Sequence, residues 1–198
     1  EDNRFITNPH IPFAPELNKV VVQMIHTVDT VQANYTRSVE TIREARLARY
    51  KDRVTGLYNR EFFVRQLGTN LASQDAVSKG EAALVAIDGL GRLKETHGFE
   101  VSEAVLKEAA GIHADRVSEI DGALATVLNA REFGLILPGI SPDKAVDILG
   151  SVKKEISECI TGHRADDLTV AAGLAAYAYD ETPSEIFSKL DYAVTRAR

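Results

Sequence analysis

Residues 124–138 read LATVLNAREFGLILP, and this stretch decides the fold predicted for the chain. Two apolar runs of five residues, 124–128 and 133–137, flank the short connection Asn129-Ala130-Arg131-Glu132. Apolar runs on both sides of a brief polar connection are typical of two antiparallel strands joined by a tight turn. The stretch therefore predicts a β-hairpin that begins its second strand at Phe133.

Strand and helix patterns alternate on both sides of this hairpin. Two helix starts are marked by a capping side chain followed by a proline in the first turn, Ser141-Pro142 and Thr182-Pro183. Strands are predicted at residues 82–87 and 168–177, and helices from residue 59, over 101–117, over 142–158 and from residue 183. The resulting order α, β, α, β, β, α, β, α predicts an α+β domain with one mixed sheet flanked by helices.

Residues 17–51 have a different, seven-residue period. The two apolar series are Leu17, Met24 and Val31, and Val21, Val28, Tyr35 and Ile42. Such a seam predicts a long coiled-coil helix that pairs in parallel with a second copy of the chain, because a mostly polar helix of this length is marginal alone. Packing of the same stripe against the chain's own globular domain is the alternative.

Composition restricts the function classes. The formal net charge of −6 over 198 residues, with both signs interspersed, argues against nucleic acid as a partner. The single cysteine, Cys159, is expected to be a buried thiol in a reducing compartment. No stretch is apolar for long enough to cross a bilayer, so a membrane is expected only through segments outside this sequence. The start at Glu1, without methionine or signal peptide, suggests a fragment of a longer protein.

Residues 52–60, DRVTGLYNR, resemble the opening Asp-x-Leu-Thr-Gly-Leu-x-Asn-Arg of GGDEF domains, the catalytic domains of diguanylate cyclases. Further segments resemble the family's landmarks in the same order: 84–106 for the metal-binding strand and loop, 129–138 for the signature hairpin, 168–175 for a later strand and 190–193 for the last helix. The resemblance covers residues 52–198. It implies the mixed sheet and flanking helices of the nucleotidyl cyclase fold.

The same resemblance identifies what this chain lacks. Family members hold divalent metal with two aspartates; the first falls on Ala86, and only the second remains, as Asp88. The signature glycines become Asn129 and Ala130. The next position is Arg131 instead of an acid, followed by Glu132 and Phe133. A methyl group cannot bind magnesium, so the sequence predicts a degenerate domain that is no enzyme and holds no metal or cofactor.

Expected nucleotide contacts are altered as well. The phosphate-contacting lysine of the family aligns with Gly91, and the guanine-reading asparagine aligns with Lys94, which has donors but no acceptor. Glu103 replaces an aspartate at the second guanine-reading position. Arg198 aligns with a terminal phosphate-binding lysine, although an arginine at a helix end is more often a solvated charge.

The entry to the long helix, Pro12-Phe13-Ala14-Pro15-Glu16-Leu17, resembles the second half of a HAMP domain, and the helix that follows resembles a signalling helix. The implied organisation is a HAMP remnant at 1–16, a coiled-coil helix at 17–51 and a degenerate GGDEF domain at 52–198. Together these features resemble LapD-type receptors of biofilm control, which bind cyclic di-GMP in a following EAL domain. The resemblance thus implies the cytoplasmic portion of a bacterial inner-membrane receptor; a GTP-binding domain that tunes a neighbouring phosphodiesterase is the alternative.

Overall fold

The computed structural model describes residues 14–73, 79–162 and 168–198. Contacts divide the chain into two compact units, Glu1–Arg49 and Tyr50–Arg198. Residues 1–13 of the predicted HAMP remnant and the centre of the polar loop predicted after the first domain helix, residues 74–78, lie outside the described part. Among the described helices, none is long and apolar enough to span a bilayer.

The first unit is one helix, α1 (Ala14–Ala48). Its interior contains no glycine, and its only proline stands in the first turn, where the missing N–H removes no helical hydrogen bond. Most of the predicted seam is open: the exposed fractions run from 53% at Ile42 to 71% at Tyr35, and Val21 is half-buried. The predicted long helix is thus present, and the partner of its apolar seam stays a prediction.

The second unit is a four-stranded sheet with helices on both faces. Its elements are α2 (Arg60–Ala72), β1 (Gly80–Asp88), α3 (Leu90–His97), α4 (Phe99–Val117), β2 (Leu124–Asn129), β3 (Glu132–Pro138), α5 (Pro142–Gly162), β4 (Thr169–Tyr177) and α6 (Pro183–Ala197). The strand order is β2-β3-β1-β4, and all three pairings are antiparallel. Within the described residues, the parallel component of the predicted mixed sheet is reduced to one bridge between Tyr58 and Thr126.

The helix α3 was not predicted from the sequence. It occupies eight residues that were expected to form a loop, and glycines flank it on both sides, Gly89 and Gly98, both with positive φ. These glycines allow the chain to turn sharply out of β1 and again into α4. The helix buries Leu90 and Leu93, and that burial is what secures so short an element.

The central strand β1 separates two cores. Its alternate residues Ala83, Val85 and Ile87 face a core that is shared with α4 and α5. The residues between them, including Leu84 and Ala86, face a second core that is shared with α2 and α6. This alternation explains why the strand reads as one continuous apolar run: both of its faces are covered.

Close packing of α6 on the sheet depends on Gly173. A Cβ atom at this position would lie 2.7 Å from the backbone nitrogen of Val194. We expect Gly173→Ala to lower the free energy of unfolding by about 1–3 kcal/mol, because backbone atoms must move apart. Gly111→Ala on α4, where a Cβ would meet nothing within 4 Å, is the control and should stabilise the chain by about 0.5–1 kcal/mol. Urea denaturation measures both, and equal effects would contradict the close contact.

A buried imidazole, His113, lies on α4 and stacks on Phe133 with 4.5 Å between ring centroids. Its Nδ1 lies 2.6 Å from the carbonyl oxygen of Ala109, so Nδ1 carries the proton and donates it. The other ring nitrogen, Nε2, is buried without a hydrogen-bond partner. Burial lowers the pKa of His113 to about 4 from its ordinary 6.5.

This imidazole makes stability depend on pH. Because the folded pKa is depressed, the unfolded chain binds more protons between about pH 4 and 6.5, and stability falls as the pH falls through that window. The expected loss is about 2 kcal/mol between pH 7.5 and pH 5. Urea denaturation of His113→Phe should lack this component, whereas the exposed control His97→Asn should retain it. Identical pH dependence in all three proteins would disprove the assignment.

The cysteine differs from the sequence-based expectation. Cys159 is half-buried, not enclosed in the core, and its thiol donates a hydrogen bond of 2.8 Å to the Glu108 carboxylate. Partial burial and this carboxylate raise the pKa of the thiol to about 12. Cys159 lies at the margin of the buried face of α5, where α4 offers the carboxylate of Glu108.

Candidate functional site at the β2–β3 hairpin

The predicted hairpin is present, with Asn129 as the last residue of β2 and Glu132 as the first residue of β3. The register shifts between Val127 and Asn129, which turns the tip away from regular pairing. The Asn129 side chain closes the tip: its Oδ1 accepts from the Arg131 backbone N–H at 3.0 Å, and its Nδ2 donates to Glu132 Oε2 at 2.5 Å. An amide side chain thus occupies a position where a glycine would leave the backbone of the turn accessible to a ligand.

Two arginines surround the two carboxylates at this end of the sheet. Arg198 donates two hydrogen bonds to Asp88, from Nε to Oδ2 at 2.8 Å and from Nη2 to Oδ1 at 3.1 Å. Arg131 Nη1 lies 3.8 Å from Asp88 Oδ1, and both guanidinium groups lie 3.9 Å from Glu132 Oε1. This arginine–carboxylate cluster, Asp88, Arg131, Glu132 and Arg198, has no net formal charge.

The position of Ala86 explains why no third carboxylate joins the cluster. Ala86 is fully buried in β1, opposite Glu132 of β3 and Ala171 of β4, and its methyl group belongs to the core beneath α2 and α6. Among the described residues, no three His, Cys, Asp or Glu side chains are grouped to hold a metal ion. Since Asp88 is already bound by guanidinium and Glu132 by an amide, the residues present do not fit a divalent cation.

A groove of about 570 Å³ lies beside the hairpin tip. Its lining includes Asn129 and Ala130 at the tip, apolar side chains of α4 and β2, and the carboxylates of Asp52 and Glu103. The Asp52 carboxylate has a structural task, because its Oδ1 accepts from the backbone N–H and the hydroxyl of Thr55 at 2.8 and 2.7 Å. Glu103 is paired with Lys107 at 3.2 Å, at a half-exposed position.

Two of the predicted nucleotide-contact positions are not part of the lining of this groove, although one of them reaches its edge. Lys94 extends over the ring of Phe99, with 5.1 Å from Nζ to the ring centroid, and neither Lys94 nor Gly91 is among the described residues that line the groove. Glu103 does face it, as the resemblance implied. Arg198 is ion-paired with Asp88 while its side chain stays 36% exposed.

The last signature residue, Phe133, contributes to the core and not to the site surface. It is fully buried and lies against the His113 ring. The pairing of Arg198 with Asp88 had no signal in the sequence, because 110 residues separate the two side chains. The only hint of this pairing was that Asp88 and Arg198 carry opposite charges and both align with site positions of the family.

Comparison with known proteins assigns the chain to a family. A family model described as "Diguanylate cyclase, GGDEF domain" matches residues 49–198. The response regulator PleD of Caulobacter vibrioides is 26% identical over 189 residues, which cover 91% of this chain and 39% of PleD. The chain thus spans about two fifths of the length of that relative.

Solved structures share the fold. The S helix-GGDEF-EAL structure of LapD from Vibrio cholerae, bound to c-di-GMP, has a TM-score of 0.67 at 21% identity and covers 82% of this chain and 37% of its own. The coiled coil and GGDEF domain of DgcB from Caulobacter crescentus has a TM-score of 0.67 at 18% identity, over 87% of this chain and 92% of that one. With the family match, the antiparallel sheet and the signature hairpin in agreement, this chain belongs to the GGDEF-domain family of diguanylate cyclases.

Proposed function

We propose that this chain is a catalytically inactive GGDEF module that transmits a signal between a membrane relay and a following domain. The arginine–carboxylate cluster is the observation that carries the proposal. Cyclisation of GTP needs carboxylates free to hold divalent metal, and here both remaining carboxylates are engaged by side chains of the chain itself. The methyl of Ala86 provides no replacement ligand.

The same cluster is unsuited to the triphosphate. The guanidinium group of Arg198 already donates two hydrogen bonds to Asp88. A phosphate group would therefore have to displace a bidentate, charge-assisted pair. Glu132 contributes an additional negative charge 3.9 Å from each guanidinium. The positive charge of the two arginines therefore disfavours a metal ion, and the negative charge of the two carboxylates disfavours a phosphate group.

The transmitting role is proposed from α1. An open apolar seam of this length on a 35-residue helix favours parallel pairing of two copies, and paired helices can adopt alternative registers. The LapD structure, described as S helix-GGDEF-EAL, combines similar parts in one chain. We place this chain in a similar setting: a HAMP relay before α1, an EAL domain after α6 that binds cyclic di-GMP, and an inner-membrane receptor with this portion in the cytoplasm.

A second candidate function is allosteric binding of GTP without cyclisation. The groove of about 570 Å³ favours it, because Glu103 could accept hydrogen bonds from a base. Lys94 at the aligned base-reading position opposes it, because an ammonium group has no acceptor to offer a base and Lys94 is not among the described residues that line the groove. Calorimetric titration with GTP distinguishes the two: no heat beyond dilution favours the inactive module, and saturable heat favours the GTP-binding domain.

For the activity itself, we expect no cyclic di-GMP above the protein-free blank when the chain is incubated with GTP and either Mg²⁺ or Mn²⁺. Mass spectrometry of the nucleotides measures this, with an active diguanylate cyclase as the positive control. The single change Arg131→Ala should not create activity, because Arg198 still holds Asp88. Product that forms with the unaltered chain and disappears in Asp88→Asn, but not in the exposed control Glu100→Gln, would refute the proposal.

A further inference from the structure

A second cavity lies at the opposite end of the sheet from the hairpin. It has a volume of about 430 Å³ and is formed where β1 begins, where β3 connects to α5 and where β4 ends. The nine residues of β1 separate it from the arginine–carboxylate cluster by about 26 Å. It is therefore independent of the site described above, and so is the inference drawn from it.

The acidic group of this cavity is Glu81. Its side chain is only 4% exposed, yet it lines the cavity. Among residues 14–73, 79–162 and 168–198, no donor lies within hydrogen-bonding distance of its carboxylate. Burial raises the pKa of Glu81, and no neighbouring charge or hydrogen bond opposes that effect. The carboxylate oxygens keep contact with solvent only through the cavity, and a cation bound there would supply the partner that the described residues do not provide.

The remaining lining indicates the shape of that cation. Most of the wall is small and apolar and is formed by Gly80, Gly139, Ile140, Pro142, Ala176 and Ala178. Ser141 adds a hydroxyl to the lining, whereas the Tyr177 hydroxyl accepts from Asn70 Nδ2 in the core on the other face of the sheet. A wall of this kind accommodates a short alkyl chain, while Glu81 provides a single point of negative charge.

An anion is a poor alternative occupant, although the cavity includes the start of α5. The first residue of that helix is Pro142, which has no backbone N–H to offer. The buried charge that faces the cavity is negative, and the chain as a whole carries −6. The exposed Lys79 at the rim is the one cation among the described lining residues, and no ion pair joins it to Glu81.

We propose that this cavity binds a protonated primary amine on a short alkyl chain, with the ammonium group against Glu81 and the alkyl chain along the small apolar wall. The ammonium would supply the donors that the Glu81 carboxylate lacks. A free amine and a lysine side chain of a partner protein have the same chemistry.

The test is a titration of the whole chain with n-butylammonium chloride, followed by the amide NMR signals of Gly80, Gly139 and Ala176. We expect saturable shifts at these amides and at least a tenfold weaker affinity in Glu81→Gln. Glu100→Gln, an exposed acid elsewhere on the chain, is the matched control and should bind as the unaltered chain does. Equal binding of n-butanol, the uncharged analogue, or unchanged affinity in Glu81→Gln would overturn the proposal.

Substitution of the neighbouring lysine tests whether the ligand carries a positive charge. Lys79→Ala should tighten amine binding, because it removes a like charge from the rim; weaker binding in this variant would count against an amine site. Two further ligands separate the sources. Tighter binding of cadaverine than of an N-acetylated, amidated Gly-Lys-Gly peptide would indicate a free amine, and the reverse order would indicate a lysine side chain of a protein.

Discussion

The variant Val28→Asp, Tyr35→Asp is expected to be a folded monomer under conditions in which the unaltered chain is a dimer. Val28 and Tyr35 occupy the same position in successive heptads of the α1 seam and are 61% and 71% exposed in the single chain. In a parallel pair each would face its own copy, so the variant would bury four unpaired carboxylates in one apolar interface. Desolvation of such charges costs several kcal/mol, enough to dissociate the pair at micromolar concentration. Light scattering after size exclusion measures the mass.

A matched control uses the outer face of the same helix. Ala33→Asp, Thr36→Asp adds the same charge next to the seam positions but lies outside both apolar series, so it should leave the dimer intact. Circular dichroism must show that the sheet domain of both variants stays folded. An unaltered chain that is already monomeric, or a seam variant that stays dimeric, would rule out α1 as the pairing element.

The second large effect concerns a residue that the degenerate signature retains. Phe133→Ala should lower the free energy of unfolding by about 3–5 kcal/mol, because a fully buried ring leaves a cavity beneath α4. The loss also removes the stacking partner of His113. Urea denaturation at neutral pH is the measurement, with the midpoint and the slope reported separately.

Phe99→Ala provides the comparison for this prediction. The same side chain is removed, but Phe99 is 55% exposed, so the expected loss is below about 1 kcal/mol. If both substitutions cost the same, Phe133 does not have the packing role described here. A large difference would explain why a phenylalanine persists where neighbouring positions of the signature have changed: the ring stabilises the fold whether or not the hairpin binds a nucleotide.

Local chemistry made much of the fold predictable. The hairpin followed from two apolar runs around a polar turn, and the start of α6 followed from Thr182, whose hydroxyl and the Glu185 carboxylate form a reciprocal capping box. The buried β1 followed from an uninterrupted apolar run. The exception was α3, which lies in a segment that the resemblance predicted as a loop and is too short to show a helical period.

The candidate site was predictable in its members but not in its contacts. The aligned positions identified Asp88, Arg131, Glu132 and Arg198 one at a time. That the arginines bind the carboxylates depends on how α6 returns to the end of β1, which no local pattern encodes. The cavity around Glu81 had no sequence signal, because an acid at the start of an apolar strand normally lies at the surface.

The pairing of Asp88 with two arginines also affects how readily the chain could change by mutation. Losing Arg131 alone leaves Asp88 bound to Arg198, and losing Arg198 alone leaves Arg131 at 3.8 Å, so neither single step frees the carboxylate. An aspartate at position 86 would meanwhile enter a fully buried strand position. Freeing Asp88 and adding a carboxylate at position 86 would therefore take several substitutions. In evolutionary terms these contacts are a barrier to change, because each carboxylate keeps a partner after the loss of any one arginine.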